Sequence, residues 1–358
     1  MISQAARLLK GHLSGKINYA IFFVTARCNA KCKTCFYWQN ADNAGKNELT
    51  ADEYLRISQK WKNLFHISLT GGEPLLRDDL PEIISHFYRN SGARSFGITT
   101  NGLLPDKAEA VVAKALAENP GITLKFSVSI DAIGEKHDEI RGVKGNYAKL
   151  TETITKLKTL AEKNKNLDLR INTTCCSYNK NDITKIIDHI DSAFGLPVGI
   201  GIVRGDARSA DSKEITPEEY KKTTDYLKNK YKKRSGALAY FRMLDNVLFG
   251  VYDITHRIMK ENAQIINCAA GRKMIVISEK GAVLPCEMLE NVFPKKKFIF
   301  PDLRKNDYDI EKALKSPEFK EMLKLIKDSR CFCTFECATM NSLAYNPGTL
   351  IKLMLNFR

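Results

Sequence analysis

"YAIFFVTARCNAKCKTC", residues 19–35, begins with seven β-favouring residues and ends with three cysteines, Cys28, Cys32 and Cys35. The apolar run has the length of one buried strand, and the polar, basic stretch after it reads as a loop at the strand end. A structural zinc wants four ligands, yet no further Cys or His follows until His66. Three thiolates on one short loop suit a [4Fe–4S] cube instead, since three irons are capped and the fourth is left open. An open metal position is useful when something binds and reacts there, as at a catalytic zinc.

Working outward, the strand pattern recurs. "HISLT" (66–70), "SFGITT" (95–100), "ITLKFSVS" (122–129), "LDLRINTT" (167–174) and "VGIGIV" (198–203) are each β-rich, and helical patterns lie between them. Six strand–helix units in a row predict a parallel α/β architecture. The Gly-rich and charged segments all follow strand ends, the face where a βα barrel carries its chemistry. A doubly wound open sheet shares this pattern, so both stay open on periodicity alone. Past residue 235 the alternation stops. A helical stretch over 238–263 precedes "CAAGRKMIVISEKGAVLPC" (268–286), which reads as a hairpin turning at "EKG"; one helix over about 310–327 and then "CFCTFEC" (331–337) follow.

Composition bounds the class. The chain has 358 residues, 44% of them hydrophobic, and no apolar run near the ~18 residues of a membrane span. No signal-peptide pattern opens it, so a cytoplasmic location is expected. Ten cysteines in clusters, without an export signal, point to metal rather than disulfides. The formal charge of +15 is concentrated in segments such as "YKKTTDYLKNKYKKR" (220–234), read as a solvated helix face, with an acidic substrate or a membrane surface as the other readings. No nucleic-acid partner is expected. Cys175 and Cys176 are adjacent on a strand and point to opposite faces, so one is expected in the core. His66, His86, His137, His189 and His256 lack ligand spacing and are read as structural or solvated.

Cys28, Cys32 and Cys35, placed after a first strand, reproduce a CxxxCxxC signature, and the chain resembles the radical SAM superfamily. The resemblance implies a partial (β/α)6 TIM barrel. It also implies an open iron that chelates S-adenosylmethionine (SAM), and reductive cleavage to a 5′-deoxyadenosyl radical that takes hydrogen from a substrate. "GGEP", Gly71, Gly72, Glu73 and Pro74, is similar to the family's GGE motif, implying that Glu73 and its backbone hold the methionine amino group. Paired glycines allow close backbone approach, and a carboxylate suits an ammonium. "TTNG" contributes Asn101, and "SVSIDA" offers Ser129 and Asp131 near the methionyl or ribose groups. Arg141 is the candidate for the SAM carboxylate, which a guanidinium engages bidentately, and Asn172 is a ribose candidate. Where the family has an aromatic residue before the third cysteine this chain has Thr34, so Phe36 or Tyr37 is expected against adenine.

Cys268 and Cys286, with Gly281 between them, resemble the opening CX(9–15)GX4C element of SPASM and twitch extensions. Cys331, Cys333 and Cys337 add three more thiols. Five cysteines, against seven in a full SPASM extension, imply one auxiliary [4Fe–4S] cluster and one thiol left over. The expected division is an N-terminal segment (1–18), a barrel (19–235), a helical connection (236–265), a cluster-binding extension (266–340) and a tail (341–358). Only 18 residues precede the first strand, which favours a small molecule, sugar or lipid head group over a peptide as substrate. The basic, apolar ends permit membrane-surface contact, or are capping helices. An electron donor such as flavodoxin or ferredoxin is implied. The alternatives are a peptide-maturing enzyme with a separate recognition protein, and a non-catalytic iron–sulfur or zinc regulator.

Overall fold

The computed structural model describes residues 16–234, 239–346 and 348. The six β-rich runs form β1 (Tyr19–Thr25), β2 (His66–Gly71), β3 (Ser95–Thr100), β4 (Thr123–Ser129), β5 (Leu167–Cys175) and β6 (Val198–Ile202). All pair in parallel, each beside its predecessor in the chain. A doubly wound sheet reverses its strand order at a switch point; this one does not, and the sheet stays open, as a partial barrel does. The connections carry α1 (Ala51–Lys60), α2 (Leu80–Asn90), α3 (Pro105–Glu118), α4 (Glu135–Arg141), α5 (Asn146–Lys163) and α6 (Ile183–Phe194), and α7 (Pro217–Arg234) follows β6. Helix α1 begins where a capping box forms, Thr50 accepting from the Glu53 amide and Glu53 accepting from Thr50.

Strand alternation separates two faces. One face of β1, carrying Phe22, packs on the helices: its ring lies 5.6 Å from Tyr54, 6.2 Å from Trp61 and 5.1 Å from Phe87. Leu124, Phe126 and Ile171 bury the same face of later strands completely. The opposite, concave face is polar. On it Thr99 and Asn172 are exposed, while their chain neighbours Ile98, Thr100, Ile171 and Thr173 are buried. The barrel interior is therefore open to a ligand rather than filled by apolar layers.

The hairpin at "EKG" consists of β7 (Met274–Ile277) and β8 (Val283–Leu284). Strand β7 pairs in parallel with β1, from Tyr19↔Met274 to Phe22↔Ile277, so the C-terminal region extends the barrel sheet in the order β6-β5-β4-β3-β2-β1-β7-β8. Before the hairpin runs α8 (Ala239–Glu261). The single helix expected over 310–327 is two, α9 (Ile310–Lys315) and α10 (Pro317–Asp328). The break is Ser316, which precedes proline and takes an extended conformation (φ −60°, ψ 151°) while its side chain caps α10. Then α11 (Glu336–Ala344) begins inside "CFCTFEC". Along α7, Lys221 and Lys222 are exposed, and Lys228 and Lys230 pair with Asp253 and Asp188, which fits the solvated-face reading. No helix among the described residues is long and apolar enough to cross a membrane. Most of the two ends read as membrane-permissive or capping segments lies outside the described residues.

Phe22→Ala removes a fully buried ring at the sheet–helix contact and should cost about 3–5 kcal/mol, read as a lower midpoint in denaturant unfolding. A loss below about 1 kcal/mol would contradict the packing described.

Candidate functional site

The cysteine loop is held by backbone hydrogen bonds from three other connections. From the β2 end, the amides of Gly72 and Glu73 donate to the carbonyls of Thr25 and Arg27, both at 2.8 Å. From the end of α4, the carbonyls of Arg141 and Ile140 accept from Lys31 (3.1 Å) and Lys33 (2.9 Å). From beyond β6, the amides of Arg208 and Ser209 donate to Cys35 (3.0 Å) and Lys33 (2.9 Å). A Cβ at Gly72 would stand 2.1 Å from the Arg27 carbonyl oxygen, so the close approach that needs a glycine is to the loop itself. Asn101 adds a side-chain tie, its Nδ2 donating to Asn29 Oδ1 at 2.7 Å.

Within this clamp Cys28, Cys32 and Cys35 are half-buried and near enough to repel one another as thiolates. Burial first, then that repulsion, pushes Cys28 up to about 12; burial and Cys32 push Cys35 up to about 11. Arg141 Nη1 reaches Cys32 Sγ at 3.7 Å, and Arg208 lies near Cys35 with a favourable charge. The loop thus keeps Cys28 and Cys35 neutral without metal and has cations nearby to accept the thiolate form.

Glu73 is 1% exposed. Its Oε1 accepts from the Leu75 amide (3.1 Å) and the Thr100 hydroxyl (2.8 Å), and its Oε2 from the Asn101 amide (2.8 Å). Pro74, next in "GGEP", begins the 3-10 turn that Glu73 caps. A carboxylate offers about four acceptor positions, so one on Oε2 remains for a further donor. Burial pushes this carboxyl up to about 7 against those three hydrogen bonds.

The other candidates divide into two groups. Asp131 and Arg141 are paired with each other, Oδ2 to Nε at 2.8 Å, and Asp131 Oδ1 also accepts from the Thr174 amide. Tyr37 is tied to the hairpin, its hydroxyl donating to Glu279 at 2.5 Å, and its ring packs edge-on against Phe23. Phe36 lies under the Arg204 guanidinium. By contrast Ser129 and Asn172, register partners across β4 and β5, stand together at the strand ends of the concave face. Cys175 and Cys176 are both fully buried, where one was expected to be, because the chain beyond β5 packs Cys176 against Val203 and Ala207.

In the C-terminal region Cys268, Cys286, Cys331 and Cys333 line one cavity, walled by Ile266, Met288 and Phe332. Cys337 does not line it. Cys331 and Cys333 lie in the extended stretch before α11, whereas Cys337 is on the helix and sits beside Tyr19, Glu287, Arg204 and Glu336. Among the described residues no three His, Cys, Asp or Glu side chains are gathered as a single metal ion requires. Sequence reasoning missed several polar residues around these sites. Arg204 pairs with Glu287 (2.8 Å) and Glu336 (2.9 Å). Glu48 accepts from the Thr25 hydroxyl and the Ala26 amide. Buried Arg77 donates to the carbonyls of Val24 and Leu49, both at 2.8 Å. The available signal for Glu336 was a carboxylate inside a cysteine cluster.

Residues 22–190 match the family model described as the radical SAM superfamily. Residues 22–190 are a radical SAM domain. Fe-coproporphyrin III synthase of Methanosarcina barkeri is 29% identical over 251 residues, 68% of this chain and 59% of the relative. GTP 3′,8-cyclase of Clostridium perfringens is 28% identical over 230 residues, 61% of this chain and 67% of the relative. The chain thus spans less than two thirds of the first of these relatives. Among solved structures, Streptococcus suis SuiB bound to S-adenosylmethionine superposes with a TM-score of 0.62 at 17% identity, covering 89% of this chain and 70% of that one. Native anSMEcpe with bound AdoMet gives 0.58 at 17%, covering 95% of each. At that identity the likeness is one of fold, and it agrees with the partial barrel. The radical SAM superfamily implies SAM and a [4Fe–4S] cluster. The clamped three-thiol loop, its neighbouring cations and the spare Glu73 acceptor fit that pair of groups.

Glu73 sets a pH signature. A carboxyl raised in the folded state binds its proton more tightly there, so stability falls as pH rises from about 4.5, the ordinary value, to about 7. In iron-free protein the stability of wild type relative to Glu73→Gln should drop by about 3 kcal/mol across that window. A pH-independent difference in denaturant unfolding would contradict the burial of this charge.

Proposed function

We propose that this chain is an enzyme that holds a SAM-binding [4Fe–4S] cluster on Cys28, Cys32 and Cys35 and uses it to modify a small molecule. When bound, cluster and SAM supply a 5′-deoxyadenosyl radical that removes hydrogen from the substrate, at the cost of one electron from a donor such as reduced flavodoxin or ferredoxin. The observation that carries this reading is the loop itself: three adjacent thiols, fixed through their backbone, beside a buried carboxylate with an acceptor to spare. The Glu73 carboxylate and the Gly71–Gly72 turn take the methionine ammonium. Arg141, already charge-paired with Asp131, serves the SAM carboxylate less directly than a free guanidinium and positions Cys32 as well. Ser129 and Asn172 face the ribose, Asn101 keeps the loop in place, and Tyr37 closes the adenine side.

A second cluster on Cys268, Cys286, Cys331 and Cys333 accompanies the first, and Cys337 is the thiol left over. The cavity these four line, and the separate surroundings of Cys337, support that choice. Four capped irons cannot bind SAM, so this cluster is an electron conduit or a clamp, and an electron role favours oxidation of the substrate. A peptide substrate is the second reading, supported by the fold likeness to SuiB, which was solved bound to its precursor peptide SuiA.

The test is anaerobic incubation of reconstituted protein with SAM and dithionite, followed by chromatography for 5′-deoxyadenosine. Wild type should produce it and carry about eight irons. Changing Cys28, Cys32 and Cys35 to Ala should abolish the product and leave about four irons. Cys337→Ser should keep all of them, and stoichiometric zinc in the triple variant would remove the second cluster.

A further inference from the structure

The concave face of the barrel has a charged floor. On β4, Lys125 alternates with fully buried Leu124 and Phe126, and its register partners are Gly97 and Asp168. Gly97 faces His66 and Ser68: a Cβ there would meet His66 Nε2 at 3.3 Å and Ser68 Oγ at 3.5 Å. The five residues therefore share one level of the concave side. Around them runs a neutral hydrogen-bonded chain from Tyr19 to Ser68 (3.0 Å), to His66 (3.1 Å), to Ser95 (2.7 Å). Burial, with Lys125 nearby, holds His66 down to about 3, so its imidazole is uncharged.

Arg170, one strand over, engages Asp168 through Nε to both carboxylate oxygens and through Nη2, all at 2.9 Å. Asp168 is thereby committed, and Lys125 makes no hydrogen bond or ion pair among the described residues. Burial first, and then the Arg170 charge, lowers the Lys125 ammonium pKa. A half-buried cation that makes no hydrogen bond or ion pair, beside a second cation, carries a desolvation cost that the Asp168 charge offsets only in part. An anion between them would offset it.

We propose that Lys125, with Arg170 beside it, is the receptor for an anionic group of the substrate, a carboxylate or a phosphate. This rests on the enzymatic reading above and narrows its substrate class. Lys125 lies four residues before Ser129, about 13 Å down the strand at ~3.3 Å per residue. A substrate anchored at the floor thus extends its other end toward the strand ends, where Cys28 and Glu73 stand. On β6 the inward positions Gly199 and Gly201 carry no side chain, and Asn172 and Glu336 stand over them instead.

The experiment is isothermal titration of reconstituted full-length protein with two probes, inorganic pyrophosphate and citrate. Because the chain carries +15 overall, Lys221→Met on the exposed face of α7 controls for general attraction. Lys125→Met should weaken binding of at least one probe by about 10-fold or more, the scale of one charge-assisted hydrogen bond. Lys125→Arg should hold it within about 3-fold, and Lys221→Met should leave it unchanged. Lys125→Gln serves if Met disturbs folding. A dependence seen only with pyrophosphate assigns a phosphate, and one seen only with citrate a carboxylate. If neither probe binds wild type, or Lys125→Met and Lys221→Met act alike, the receptor is refuted. Substrate-free 5′-deoxyadenosine formation is measured on the same preparations and should match wild type in every Lys125 variant. Its absence from wild type would overturn the reaction while leaving the anion result standing.

Discussion

The arrangement depends on the grip that three separate connections exert on the backbone of residues 25–35. A loop carrying three thiols has no apolar surface with which to fold itself, and loops without such support are mobile. Here the support comes through main-chain groups, from Gly72 and Glu73, from Arg141 and Ile140, and from Arg208 and Ser209. Main-chain bonds leave the cysteine side chains unused. Each supporting segment follows a different strand, so the loop can be held only when β2, β4 and β6 are already in register beside β1. The barrel is therefore the condition for the thiol geometry. Arg77 reinforces this from below, since one buried guanidinium binds the carbonyl of Val24 at the end of β1 and that of Leu49 before α1.

Strand β1 has a second partner that gives the extension its place. With β2 on one side and β7 on the other, β1 is interior to the sheet, and its apolar sequence is that of a strand buried on both faces, Ile21 and Phe23 on one and Phe22 and Val24 on the other. Tyr37 to Glu279 and the Leu49 amide to the Glu279 carbonyl tie the hairpin tip to the stretch after the cysteine loop. Arg204 joins the loop after β6 to Glu287 and Glu336 while stacked between the rings of Phe36 and Phe335. The two cysteine groups are thus fixed to one framework through β1.

The strands, their parallel order and the hairpin were legible in the sequence because alternation and turn residues are local signals. The pairing of β7 with β1 was not, since no local pattern encodes which edge a hairpin joins. The split of one expected helix at Ser316 was readable in principle from the proline that follows. At the site, the cysteine spacing and "GGEP" identify the loop, but spacing does not reveal that Gly72 also packs closely on the Arg27 carbonyl. Nor does it reveal that Asp131 and Arg141 are charge-paired with each other. The five C-terminal cysteines are equivalent as letters; they separate only because α11 starts at Glu336 and rotates Cys337 away from the stretch holding Cys331 and Cys333.

The concave face shows why a barrel of this kind can serve a reaction at its rim. A closed eight-stranded barrel fills its interior with branched apolar side chains, which leaves substrates only the loops. Here the interior positions are small or polar, Ser68, Gly97, Ser127 and Gly199 among them, and the sheet is open beyond β6. The stability forgone by not packing that volume is recovered on the other face, where Phe22, Phe87, Phe96 and Phe126 are fully buried. Placing the packing outside and the polar groups inside lets the same strands anchor helices with one set of residues and hold a ligand with the other. Residues one apart in sequence, such as Lys125 and Phe126, thus belong to different tasks.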